Sequence, residues 1–222
     1  MSLIFCFDID GTLLSTNGAG TRSFKSATWH LFNKKIDWSN ISMAGRVDPG
    51  IFKDILKLID YEYSDDIWDK FKSLYIENLK KEIKNSEVTV FDGVYEFLKS
   101  IENEDKILVT GNIKEGAKIK LGFKKLSDYF YWDRSVFGDD ALYYRDELAD
   151  VLLKRNKSKI PVIIGDTPLD ISLAKKTGGI SVAVTTGIYT AEELKKYNPD
   201  FILDNIFLLN IDLLYKRLSV MI

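Results

Sequence analysis

From about residue 85 onward, short apolar runs of β type alternate with segments of helical spacing, and this alternation constrains the fold more than any other feature. The runs are KILVT (106–110), SVF (135–137), IPVII (160–164), ISVAV (180–184) and DFIL (200–203). Helical patterns such as GVYEFLKSIEN and DISLAKKTG lie between most of them. Strand–helix alternation predicts an α/β fold: a parallel sheet with helices packed on both faces. The N-terminal run LIFCF (3–7) has the same short, continuous apolar character and is expected to join that sheet as an internal strand.

The segment between these strands reads differently. GTRSFKSATWHLFNKK, AGRVDPGIFKDILKLI and DDIWDKFKSLYIENLKKEIK all carry apolar residues at helical spacing and almost no strand signal. Asp48 is expected as the N-cap of the second helix, with Pro49 in its first turn. The chain is therefore expected to divide into a split core, residues 1–14 and 85–222, and a helical insert, residues 15–84. Among its 222 residues 45% are hydrophobic, enough to build a packed core without covalent staples. The net charge of −2 is unlike a basic nucleic-acid footprint. LIFCF is too short for a membrane span or a signal-peptide core. The single cysteine, Cys6, excludes an internal disulfide and fits a cytoplasmic setting. The oligomeric state is not legible from the sequence.

The first strand ends in FDIDGT, which places Asp8 and Asp10 two residues apart. Two readings stand on this stretch alone: an ordinary Asp-Gly turn, or paired acids serving a metal or a reaction. In an open parallel sheet ligands bind beyond the carboxyl ends of the strands. Those ends carry DIDGT, then Thr110-Gly111-Asn112, then GDTPLD with Asp166 and Asp170, then TTGIYT. Acidic and polar residues thus collect where such a fold places its site, which favours chemistry over the turn. Asp8 is the candidate nucleophile toward phosphorus, and Asp10 the candidate acid and base for the leaving oxygen and for water. Asp166 together with Asp8 could hold Mg²⁺, which suits few carboxylates plus phosphate oxygens. Thr110, Gly111 and Asn112 offer a hydroxyl and N–H groups at a helix start to a phosphate.

DIDGTLL, VTGN and IIGDTPLD, in that order, resemble the haloacid dehalogenase-like (HAD) superfamily over nearly the whole chain. The helical insert after DxDGT is similar to the cap of phosphoglycolate-phosphatase-like members, as are the stretches GAGTRSF and AGRVDP. The resemblance implies a Rossmann-like core, an α-helical cap, and Mg²⁺-dependent phosphoryl transfer through an aspartyl-phosphate. It implies Asp8 as nucleophile and Asp10 as general acid/base. It implies Mg²⁺ held by Asp8, the Asp10 carbonyl and Asp166, with Asp170 bonding the metal's surroundings or ligating through water. It implies phosphate on Thr110, Gly111 and Asn112. One departure stands out: the lysine, often in a Lys-Pro pair, that such proteins place before the GDxxxD acids is absent. Arg145, in Arg145-Asp146-Glu147-Leu148, is similar to an Arg-x-Glu-Leu variant of it. Lys154 and Lys157 are the alternatives, expected instead on a solvated helix face.

Other residues carry less. Cys6 is expected in the core, and His30, the only histidine, is expected to be structural. Arg46 fits equally well as a substrate ligand reaching from the insert or as a loop anchor. Gly18 and Gly20 suit a hinge or a plain loop, and the insert's aromatics suit a small core. The function expected is a Mg²⁺-dependent phosphatase acting on a small phosphorylated metabolite, with no nucleic-acid or membrane partner. A phosphomutase shares the core motifs, and a non-catalytic binding protein on the same fold is the alternative outside enzymes.

Overall fold

The computed structural model describes residues 2–221, so the outermost residues of the expected core segments, 1 and 222, lie outside the described residues. In chain order the elements begin with β1 (Ser2–Phe7), β2 (Leu14–Ser15), α1 (Ala19–Phe32), α2 (Asp48–Leu58), α3 (Asp65–Asn85) and β3 (Thr89–Val90). They continue with α4 (Val94–Ser100), β4 (Lys106–Leu108), α5 (Lys114–Phe123), α6 (Leu148–Arg155) and β5 (Lys159–Gly165). The chain closes with α7 (Pro168–Lys176), β6 (Ile180–Val184), α8 (Ala191–Lys195), β7 (Phe201–Leu203) and α9 (Ile211–Met221).

Five strands form a parallel sheet in the order β4-β1-β5-β6-β7. Strand β1 is internal, paired on one side from Phe5 to Phe7 with β4 and on the other along its whole length with β5. Because side chains alternate, β1 serves two cores at once. Leu3, Phe5 and Phe7 pack with α4, α5 and α9 through Phe97, Leu98, Leu121 and Leu214. Ile4 and Cys6 pack on the opposite face with α6 and α7 through Leu148, Leu152, Leu173 and Ala174. This is the expected α/β Rossmann-like arrangement, and it explains the unbroken apolar run of β1.

Helices α1, α2 and α3 pack around a separate cluster that includes Phe24, Phe52, Trp68, Phe71 and Tyr75. Their rings meet edge-on, tilted or stacked, as in Phe24–Phe71 at 4.6 Å, Phe52–Trp68 at 5.2 Å and Trp68–Phe71 at 5.7 Å. Trp29, expected among these aromatics, is instead half-exposed on the outer face of α1. The chain passes from the sheet to these helices through β2 and returns through β3, and the two pair antiparallel. Both connections therefore run side by side.

Two local expectations fail for identifiable reasons. SVF does not form a sheet strand; Val136 makes only an isolated parallel bridge to Val109. The chain turns at once into a 3₁₀ turn over Gly138–Asp140, whose Asp140 carboxylate accepts from the Phe137 N–H and stops the extension. Asp48 is not the N-cap of α2: Val47 holds that position and Asp48 is the first helical residue. Its carboxylate accepts instead from the Ile113 N–H, 2.9 Å away, at the start of α5. A packing contact between α2 and the core thus outcompetes the local cap. Among the described residues, no helix is long and apolar enough to cross a membrane.

Candidate active site

The carboxyl ends of β1, β4 and β5 converge on a cavity of about 430 Å³ between the sheet and helices α1–α3. Asp8 stands at the end of β1, its N–H donating to the Ile164 carbonyl of the neighbouring strand. Beyond it the chain wraps around one acceptor: the Ile9 carbonyl takes the N–H groups of Thr12, Leu13 and Leu14. Gly11 makes that wrap possible, because it has φ +82 and because a Cβ there would lie 2.6 Å from Asp166 Cγ. The Asp-Gly turn and the paired acids are therefore one feature: the turn brings Asp166 against the loop.

Ligand-atom candidates on Asp8, Asp166 and Asp170 lie within 4.8 Å of one another, and all three residues are buried. Arg145, 3% exposed, donates from Nη2 to Asp8 Oδ1 at 3.0 Å and to Asp170 Oδ1 at 2.5 Å. The other Asp170 oxygen accepts from the Thr167 N–H and hydroxyl at 3.0 and 2.7 Å. Asp170 is thus occupied in holding Arg145 and the start of α7. Asp166 Oδ1 accepts from the Thr12 hydroxyl at 3.2 Å. Lys154 and Lys157 are exposed.

The electrostatics of this cluster are those of crowded acids. Burial, then repulsion from Asp8 and Asp170, pushes Asp166 up to about 8. Burial pushes Asp8 up to about 6 against the opposing pull of Arg145. Burial disfavours the charge on Arg145, but Asp170 and Asp8 outweigh it and hold the guanidinium firmly protonated. Fully ionised, the three carboxylates exceed the one guanidinium by two negative charges in a buried site. An all-oxygen donor set with that deficit suits a divalent hard cation such as Mg²⁺. The residues present fit the metal that the sequence led us to expect.

Asp10 lines the same cavity but is held by different partners. Its Oδ2 accepts from Asn112 Nδ2 at 2.9 Å and from Lys120 Nζ at 2.5 Å. Asn112 Nδ2 also meets the Thr110 hydroxyl at 2.9 Å. Gly111 has no room for a side chain, because the Arg46 backbone carbonyl lies against it. Arg46 lines the cavity, yet its guanidinium pairs with Asp54 at 2.7 Å and so anchors the loop before α2 as well. The first amides of α5 are already bonded: Ile113 to Asp48 and Lys114 to Asp139. Cys6 is fully buried beneath the site, where burial drives its thiol far up. His30 is exposed, with ring Nδ1 beside the Ser26 carbonyl, away from the cavity. A larger groove of about 550 Å³ beside Lys72, Trp132 and Arg155 contains none of the paired acids.

Two residues at the centre of this geometry escaped sequence reasoning. Thr12 is one residue of the DxDGT motif with no signal of its own, and Lys120 lies outside every motif. Lys120 did carry a signal: with Gly116, Ala117 and Leu121 it shares the buried face of α5, a stripe where a lysine is out of place.

A five-stranded parallel sheet bearing buried acids and a buried arginine at its carboxyl edge defines a class of α/β enzyme, and comparison with known proteins identifies which. The chain belongs to the haloacid dehalogenase-like hydrolases, whose family model matches residues 5–184. It is 29% identical over 207 residues to a PpaX protein of Caldanaerobacter subterraneus subsp. tengcongensis, covering 90% of each chain. It is 27% identical to pyrophosphatase PpaX of Listeria monocytogenes serotype 4b over 206 residues, covering 89% of this chain and 90% of that one. A hydrolase of known structure from Pseudomonas syringae shares its fold with a TM-score of 0.72 at 20% identity, covering 99% of both chains.

Proposed function

We propose that the protein is a Mg²⁺-dependent phosphatase that hydrolyses a small-molecule phosphate monoester through an aspartyl-phosphate on Asp8. One observation carries this reading: two carboxylates share one cavity but stand in opposite surroundings. Asp8 is buried and held by Arg145, whereas the Asp10 side chain is 40% exposed and held by Asn112 and Lys120. A nucleophile must be anionic and fixed, while an acid/base must exchange protons with the leaving group and with water.

In this reading an Asp8 oxygen attacks phosphorus and the bond from phosphorus to the ester oxygen breaks. Asp10 gives that oxygen its proton. Asp10, now a carboxylate, takes a proton from a water molecule whose oxygen attacks the same phosphorus. Phosphate leaves and Asp8 returns as a carboxylate. Thr110, Gly111 and Asn112 bind phosphate oxygens, and Arg145 fixes Asp8 and offsets charge as it develops. Asp8, the Asp10 carbonyl and Asp166 would hold Mg²⁺, with Asp170 bonding its surroundings, and the ion would supply charge neutralisation between nucleophile and phosphate. The three-helix unit, residues 15–84, acts as a cap on the core formed by 1–14 and 85–222, closing the cavity to bulk water. Arg46, which lines the cavity from the cap, is the residue through which the cap would meet the substrate.

The test is phosphate release from a panel of phosphate monoesters, with and without Mg²⁺, beside Asp8→Asn. Listeria pyrophosphatase PpaX bears its substrate in its name, so pyrophosphate belongs in the panel. Release that requires both Mg²⁺ and Asp8 is the expected result. Release that persists in Asp8→Asn overturns the assignment.

A further inference from the structure

We infer that Lys120 is a positioning residue that aims the Asp10 carboxylate at the leaving-group oxygen, an inference that rests on the phosphatase reading above. Lys120 projects from α5, on the core side, and is 3% exposed. Its ammonium lies 2.5 Å from Asp10 Oδ2 and 2.5 Å from Asn112 Oδ1. The two contacts act together. An ammonium is only a donor, so it requires the Asn112 amide to present its oxygen toward Lys120. The Asn112 NH₂ is then turned the other way, toward Asp10 and Thr110, where it donates to both. One lysine thus grips Asp10 directly and also sets the amide that grips it from the other side. Both bonds fall on Oδ2, and among the described residues no hydrogen bond is made to Oδ1. That leaves one oxygen to hold the geometry and one to move a proton.

The surrounding sequence makes room for this lysine. Gly20, expected as a hinge or loop residue, lies inside α1. A Cβ on Gly20 would sit 3.2 Å from Lys120 Nζ and 3.5 Å from its Cε. A bare helix backbone at residue 20 is what lets the ammonium pass beneath α1 to reach Asp10. The burial of a lysine stem and head is a cost that solvent-exposed alternatives would avoid, and among the described residues its only charge partner within salt-bridge distance is Asp10.

The experiment compares kcat/KM for an alkyl phosphate and for p-nitrophenyl phosphate in wild type, Lys120→Met and Gly20→Ala. The ratio kcat/KM reports transfer to Asp8, and only the alkyl ester needs its leaving oxygen protonated. Misaiming the acid therefore lowers the alkyl value by about a hundredfold and leaves the nitrophenyl value within about threefold. Gly20→Ala crowds the ammonium while favouring the helix, so a smaller loss of the same selective kind cannot come from unfolding. Equal losses for both esters, or no loss for either, overturn the inference. The crystal structure of Lys120→Met gives a second readout that needs no turnover. An Asp10 carboxylate that leaves its present position supports the inference, and one that stays overturns it. If wild type releases phosphate from neither ester, the phosphatase reading falls, and the Asp10 position alone decides the role of Lys120.

Discussion

Substituting Gly187, a residue with no side chain and no expected chemical role, should weaken magnesium binding. Gly187 lies in the loop after β6 and its backbone presses on Asp166. An added Cβ would stand 2.5 Å from Asp166 Cγ and 2.8 Å from its Cβ, and would overlap Oδ2 outright. Ordinary van der Waals contact begins near 3.4 Å, so the Asp166 carboxyl carbon must retreat by about 0.9 Å. It has little freedom to do so, because Gly11 confines it from the other side and Thr12 holds Oδ1. Outer-shell changes that misplace a metal ligand cost about 10- to 100-fold in affinity, or about 1.4–2.7 kcal/mol. We therefore expect Gly187→Ala to raise the Mg²⁺ concentration for half-maximal phosphate release by that factor, and calorimetric Mg²⁺ titration to show the same shift. Gly122→Ala is the control. Its new methyl meets nothing closer than 3.8 Å, and in the last turn of α5 it should leave both stability and Mg²⁺ dependence near wild type. A Gly187→Ala protein that folds and responds to Mg²⁺ within twofold of wild type would refute both the crowding argument and the placement of the metal at Asp166.

Two further predictions use the same geometry. Arg145→Ala removes the guanidinium that pairs with the buried Asp8 and Asp170, so it should lose turnover and about 3–5 kcal/mol of stability, while Lys154→Ala should lose neither. Thermal melts and phosphate release check both, and the opposite pattern would move the essential cation. Asp48 is pushed up to about 7, chiefly by burial and against the pull of Lys120. A raised carboxyl pKa means that the folded state keeps the proton, so stability present below pH 4 is lost as pH rises toward 7. The linkage amounts to at most about 4 kcal/mol. Asp48→Asn cannot ionise and still accepts the Ile113 N–H. It should melt higher than wild type at pH 8 and no higher at pH 4, and a uniform loss at both values would contradict this.

The parallel sheet was legible because its strands are buried on both faces and their signal is a run of apolar residues that needs no partner to be recognised. The neighbourhood of Asp8, Asp10, Thr110 and Asp166 was legible for a related reason: parallel strands send all their carboxyl ends to one edge. Features that depend on a contact across elements were not. Asp48 carries the composition of a helix cap, and only the packing of α2 on α5 redirects it to Ile113. Phe137 carries the composition of a strand, and only the Asp140 carboxylate ends that strand early. Lys120 and Thr12 matter through Asp10 and Asp166, residues 110 and 154 positions away in the chain. Nothing local in either stretch announces that pairing.

The absence of a Lys-Pro pair acquires a physical reason from the position of Arg145. Its two terminal nitrogens serve different parts of the fold. Nη2 donates to Asp8, Asp170 and the Val109 carbonyl, whereas Nη1 donates at 3.1 Å to the Gly45 carbonyl in the loop before α2. That loop is tied to the core again where the Asp48 N–H donates to the Gly111 carbonyl at 2.9 Å. One guanidinium therefore clamps the acids of the sheet edge and the backbone of the three-helix unit at the same time. A lysine offers a single nitrogen at the end of a flexible stem, and its donors radiate from one point. It could neutralise Asp8 and Asp170 from where Nη2 stands, but it would have no second nitrogen to hold Gly45. In a chain that holds Asp8 and the loop before α2 with one side chain, the planar fork of arginine is the residue that geometry selects.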